Sequence, residues 1–205
     1  MQKIMFNDKC GLTDAVLRGT KTMTRRVVPE REIEKYQEWY DDALSIGFGD
    51  IPVEIQSFEE AVINRARYSV CEIVAVAQAY QNIPVDCLPH GVFSMEAYAE
   101  QKGWSNKMFV KPDYMPHQIR ITDITVERLQ DISDEDCLKE GVYYDKEMEG
   151  YRVKNLSIPT NTQGIRQFYW NTPRGCFATL IDKVSGKGIW KKNPFCFCYE
   201  FEIVK

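Results

Sequence analysis

The stretch Phe195-Cys196-Phe197-Cys198-Tyr199-Glu200-Phe201-Glu202-Ile203 decides the fold class. Its residues alternate without a break. Phe195, Phe197, Tyr199, Phe201 and Ile203 share one face, and Cys196, Cys198, Glu200 and Glu202 share the other. A period of two is that of a strand, and one aromatic face implies a sheet laid on a core. A second alternating stretch runs from His117 to Leu129. Ile119 and Ile121 share a face, and Ile124 and Val126 continue it after a shift of phase at Asp123, so a bulge is expected there. Tyr68 to Ala77 is apolar and β-branched, as in a buried strand, and Lys21–Val28 reads as a strand or a loop entering one.

Short helices separate these strands. Thr13 can cap a helix through Ala15-Val16-Leu17, with Asp14 at its positive end and Gly19 as its stop. Ser57-Phe58-Glu59-Glu60 is a capping box for a helix through Arg67, while the stretch before it, from Pro29, has a weak pattern and reads as an insertion. Ser94 caps a helix through Lys102, closed by Gly103. Residues 142–170 hold a hairpin and a Thr/Asn-rich loop. Thr172-Pro173 opens a helix with Cys176, Phe177, Leu180, Ile181 and Val184 on its apolar side and Gly186 at its end. Strands joined by irregular connections and short helices predict an α+β fold, a small β-barrel decorated by helices rather than a wound parallel sheet. The expected organisation is a single domain over residues 1–205, with insertions near 30–67 and 145–165.

The chain has 205 residues, 44% of them hydrophobic and 12% aromatic, enough for a core. No apolar run approaches a membrane span, and Met1–Asn7 lacks the apolar centre of a secretory leader. Seven scattered cysteines, an odd number, fit a reducing compartment, so a cytoplasmic location is expected. A net charge of −4 argues against gripping nucleic acid by bulk charge. The distribution is uneven, however. The first 31 residues are basic, whereas residues 32–60 set Lys35 alone against Glu32, Glu34, Glu38, Asp41, Asp42, Asp50, Glu54, Glu59 and Glu60. A local basic site on an acidic chain favours a small anionic or nucleotide-like ligand.

Chemistry concentrates in Gly19-Thr20-Lys21-Thr22-Met23-Thr24-Arg25-Arg26. Hydroxyls supply nucleophiles, a desolvated lysine a base, and arginines hold phosphate or carbonyl oxygens. The same run also reads as a solvated turn before a strand. Far downstream, Ser133 caps a short helix whose first turn carries Asp134, Glu135 and Asp136 and which Gly141 ends. Those acids suit a helix N-terminus. Glu140 sits in the last turn, where the helix dipole disfavours negative charge, a setting that suits a general acid unless the group is solvated or paired with Lys139 or another base.

These residues carry a family resemblance. Val16-Leu17-Arg18-Gly19-Thr20-Lys21-Thr22-Met23-Thr24-Arg25-Arg26 is similar to the opening motif of the ASCH (activating signal cointegrator homology) domains of the PUA-like superfamily, closest to the larger phage, prophage and bacterial members. Met115–Ile121, Val126–Asp136 and Gly188–Phe195 continue it. The resemblance implies a PUA-like β-barrel with a cleft, and glycine is usual in the family where Cys71 stands, in a tight turn. Some members hydrolyse the amide of N4-acetylcytidine. Carried over, their scheme makes Thr24 the nucleophile, Lys21 its base and Glu140 the acid/base, with Thr22, Arg25 and Arg26 binding substrate and Arg26 facing the oxyanion or the cytosine carbonyl. No metal and no cofactor is required. Expected partners are a modified nucleoside or RNA base, with single-stranded RNA a further one. Residues 21 and 24 of a regular strand face opposite ways, so such a site demands a turn or bulge between them. The rival expectation is a non-catalytic RNA- or nucleotide-binding module using the same cleft.

Three other groups carry weaker signals. Cys196-x-Cys198 has no second pair at ligand spacing, and His90 and His117 are the only histidines, so these thiols read as structural. Tyr169-Trp170 reads as core or rim packing before base stacking. Cys176, early in a helix but on its apolar side, reads as buried and inert.

Overall fold

A computed structural model describes residues 1–45, 57–88, 98–159 and 166–204. The fold is mixed α+β. Its sheet takes β1 (Gln2–Ile4), β2 (Met23–Val27), β3 (Ile73–Val76), β4 (Gln118–Arg128) and β9 (Phe195–Val204) in the order β1-β3-β4-β9-β2. β1 runs parallel to β3, and the other pairs are antiparallel. Among the described residues β1 and β2 are edges with no ladder joining them. Two short ladders stand apart: the hairpin β5 (Tyr143–Asp145) with β6 (Gly150–Arg152), and β7 (Ile158–Pro159) with β8 (Arg166–Gln167).

β9 is the spine, with β4 on one side and β2 on the other. Ile121 lies opposite Phe201 and Ile124 opposite Tyr199, so Thr122 is the extra residue of a bulge between Ile121 and Asp123. That one residue keeps Ile119, Ile121, Ile124 and Val126 on the aromatic face of β9, all buried. The opposite face is not a solvent face along its whole length. Cys196 and Cys198 are buried too, whereas Glu202 reaches water.

Helices α1 (Leu12–Leu17), α2 (Glu30–Ser45), α3 (Phe58–Ile63), α4 (Asp134–Lys139), α5 (Pro173–Ser185) and α6 (Ile189–Lys192) surround the sheet. Ser133 and Thr172 cap α4 and α5 as expected, accepting from the N–H groups of Asp136 and Gly175, and the Ser57/Glu60 capping box is complete. Other expectations are corrected. Thr13 does not cap α1: Gly11 stands at the cap, and the Thr13 hydroxyl, inside the helix, bonds to Asp8. α3 stops at Ile63 because the chain is drawn to the sheet, where the Arg67 N–H donates to the Tyr199 hydroxyl at 3.1 Å. The third strand begins only at Ile73, since Cys71 turns the chain with φ +67° and its N–H bonds to Ile121 O. The weakly patterned stretch after Pro29 holds α2, whose narrow inner edge of Ile33 and Tyr36 packs on Phe58, and Phe58 on Phe195. The Ser94 cap lies outside the described residues.

The main core lies between the sheet and α1, α4 and α5. A smaller cluster of Tyr80, Ile83, Leu88, Tyr98, Val110 and Met115 packs on Ala75 and Ala77. Among the described residues no helix is long and apolar enough to cross a membrane.

Candidate active site

Lys21, Thr24, Arg25, Arg26 and Glu140 line one cavity of about 300 Å³. Local structure explains how residues so far apart in sequence meet. Gly19 takes φ +70°, and the N–H groups of Thr20 and Lys21 fold back onto Ala15 O at 2.9 and 3.0 Å. β2 therefore starts only at Met23, and Lys21 belongs to the turn before it. This is the turn that the 21/24 spacing demands. Thr22 lies outside the cavity's lining but fixes its frame: its N–H donates to Lys139 O at 2.9 Å, and its C=O accepts from Phe201 N–H at 2.9 Å. The end of α4 is thereby held beside the start of β2, with Glu140 at the helix C-cap.

Lys21 is 1% exposed and Glu140 4%. The ammonium donates to Glu140 Oε2 at 2.6 Å, to Glu140 O at 2.8 Å and to Met23 O at 2.7 Å. Burial lowers the Lys21 pKa from the usual lysine value; Glu140 pulls it back up, and the charges of Arg26 and Arg25 push it down. Glu140 is thus paired, but with Lys21; Lys139 turns away to Glu200. Glu140 Oε1 is buried without a hydrogen-bond donor among the described residues, and Arg25 Nη1 stands 3.6 Å from it. An acceptor short of a donor is a place for a ligand N–H.

Arg25 is buried among carboxylates. It contacts Glu127, lies 3.3 Å from Asp136 and approaches Glu140. Burial opposes its charge, but Cys198, Glu140 and Glu127 outweigh that and raise its pKa. Its place is beside Glu140, anchoring it. Arg26 is exposed, donates to Met5 O at 2.5 Å and lies over the Phe6 ring. Thr24 is 5% exposed and lies opposite Tyr199, on the same face of β2 as Arg26. No hydrogen bond joins its hydroxyl to Lys21 or Glu140 among the described residues.

Sequence reasoning did not find Glu127 and Asp136, nor the apolar wall of Phe6, Leu12, Phe177, Leu180 and Ile181. The α5 residues were visible as a helix face, without a sign of what they covered. Trp170 is buried, while Tyr169 is half exposed against Gly150. Burial pushes the Cys137, Cys176 and Cys196 thiols up to about 12 and Cys198 further still. Cys176 is buried, as its place on the apolar side of α5 implies. Among the described residues no group of three or more His, Cys, Asp or Glu side chains is placed to hold a metal ion. No protein-family model, curated protein or solved structure matches this chain.

Proposed function

We propose that the chain is an ASCH-type enzyme of PUA-like architecture that hydrolyses the exocyclic amide of an N4-acylcytidine. One observation carries this reading: a turn and a helix end 119 residues apart set a desolvated lysine against a carboxylate in a cavity that also holds a threonine hydroxyl. Turning a proton over between Lys21 and Glu140 Oε2 yields a neutral amine and a carboxylic acid at one stroke, the two forms amide cleavage requires. Thr24 Oγ then attacks the acyl carbon and its proton passes to Lys21. Arg26 holds the cytosine 2-carbonyl, on the sugar side of the ring, and the attack leaves a tetrahedral oxyanion on the acyl carbon. Its collapse breaks the C–N bond, and the cytosine amine leaves with a proton from Glu140. Water cleaves the acyl–threonine ester, returning the Thr24 proton and releasing the carboxylic acid. The bare Glu140 Oε1 suits a substrate whose N4 still bears hydrogen.

The test is cytidine release from N4-acetylcytidine by the wild type and by Lys21→Ala, Thr24→Ala and Glu140→Ala. Turnover that vanishes in all three supports the reading. A folded wild type that turns over neither N4-acetylcytidine nor its 5′-monophosphate removes it, and binding of nucleotide in that case favours the non-catalytic module.

A further inference from the structure

A larger groove of about 740 Å³ adjoins the cavity, and Met5 and Arg26 line both. Its charged lining is Lys3, Arg26, Arg31, Arg65 and Arg67 against a single acid, Glu32. Such a bias is unexpected on a chain of net charge −4. Arg31, Arg65 and Arg67 come from the two ends of the 30–67 insertion, flanking its acidic stretch, and Lys3 and Arg26 come from β1 and β2. Glu32, at the base of α2, binds Arg31 at 3.0 Å and Arg65 at 3.2 Å, so the one acid holds two guanidinium groups in place.

The cations differ in what they have left to give. Lys3 spends its ammonium on the carbonyls of Lys107, Met108 and Val110. Arg67 is exposed, lies 5.4 Å over the Tyr68 ring and has no carboxylate partner among the described residues. Arg26 has only the Met5 carbonyl there. Burial lowers the Arg26 pKa, and the like charge of Arg67 adds to that against the pull of Glu140. An anion between the two guanidinium groups would remove that repulsion and fill their idle donors. Tyr68, Phe197 and Tyr199 give the same groove an aromatic floor.

We infer that this groove is a phosphate subsite, so that the ligand of the neighbouring cavity is a nucleotide, free or within a strand, and not a bare nucleoside. The inference rests on the amidohydrolase reading for the base it places in the cavity. Arg26, common to both spaces, marks where sugar gives way to phosphate.

The test is calorimetric titration of the full chain with cytidine, cytidine 5′-monophosphate and a short cytidine oligoribonucleotide, all products, so that no turnover intervenes. The monophosphate should bind more tightly than cytidine. Arg67→Ala should cost it about tenfold, the loss expected of one charge-assisted hydrogen bond, and leave cytidine unaffected. Arg67→Lys should recover part of the loss, and added salt should erode the gain. A further gain with the oligonucleotide identifies a strand as the source of the phosphate; equal affinity identifies the mononucleotide. Monophosphate that binds no better than cytidine, or that is indifferent to Arg67→Ala, overturns the inference. Cytidine release from N4-acetylcytidine alongside that result leaves the amidohydrolase reading standing. Arg67-dependent binding without release from either N4-acetylcytidine or its 5′-monophosphate does the reverse.

Discussion

Lys21 and Glu140 have given up almost all their water, and each is tolerable only beside the other. Breaking a buried pair by removing one partner costs about 3–5 kcal/mol, whereas replacing both with apolar groups is often neutral. Lys21→Met and Glu140→Leu should therefore each lower unfolding free energy by roughly that amount, and the double variant should regain most of it. Additive losses in urea titrations would show that the pair is not coupled. The pH dependence follows from the same burial. Desolvation sets the folded Lys21 pKa below the unfolded value of 10.5 despite Glu140. Between the two values the unfolded chain holds more protons, so this group's contribution to stability rises with pH. The neutral amine accumulates over the same span. Amide hydrolysis uses the one proton the pair shares, so kcat/KM should fall along a limb centred below 10.5 as Lys21 loses that proton to solvent, and activity that holds through 10.5 would exclude the exchange. Glu140 was legible beforehand because a carboxylate at a helix C-terminus lacks a local reason to be there. Glu127 and Asp136 were hidden for the opposite cause: strand alternation and a helix first turn already account for them.

Among the elements, the bulge at Thr122 does the most for the sheet. Deleting Thr122 would turn either Ile119 and Ile121 or Ile124 and Val126 away from Phe201 and Tyr199. That variant should lose its cooperative thermal transition, while Thr122→Ala, which keeps the count, should melt within a few degrees of the wild type. A deletion variant that melts normally would mean the bulge can migrate. The phase shift was readable because four apolar residues straddle it. α2 was not, because its surface is charged and its buried edge narrow. At Cys71 two signals disagreed: the apolar run from Tyr68 to Ala77 read as continuous strand, since φ +67° leaves no mark in hydrophobic periodicity, while the family resemblance placed a tight turn there.

For the molecule as a whole, the division into a large core and a smaller cluster around Tyr80, Tyr98 and Val110 predicts uneven stability. Hydrogen exchange should find the β4 and β9 amides opening only with global unfolding, and amides between Tyr80 and Met115 opening at lower free energy. Equal protection across both would join them into one cooperative unit. The α+β class was legible from two alternating strands. How the strands are ordered was not, since the parallel pairing of β1 with β3 leaves no sign in either stretch.

Thr22 carries a consequence out of proportion to its exposure. Its two backbone bonds clamp β2 to α4 and β9, while the Lys21 ammonium grips carbonyls on both sides of the seam, Met23 O and Glu140 O. Proton donor and acceptor therefore ride on a single mechanical joint. A deformation that shifts this joint would carry the ammonium and the carboxylate together, so the room for a ligand can change while the 2.6 Å between them is kept.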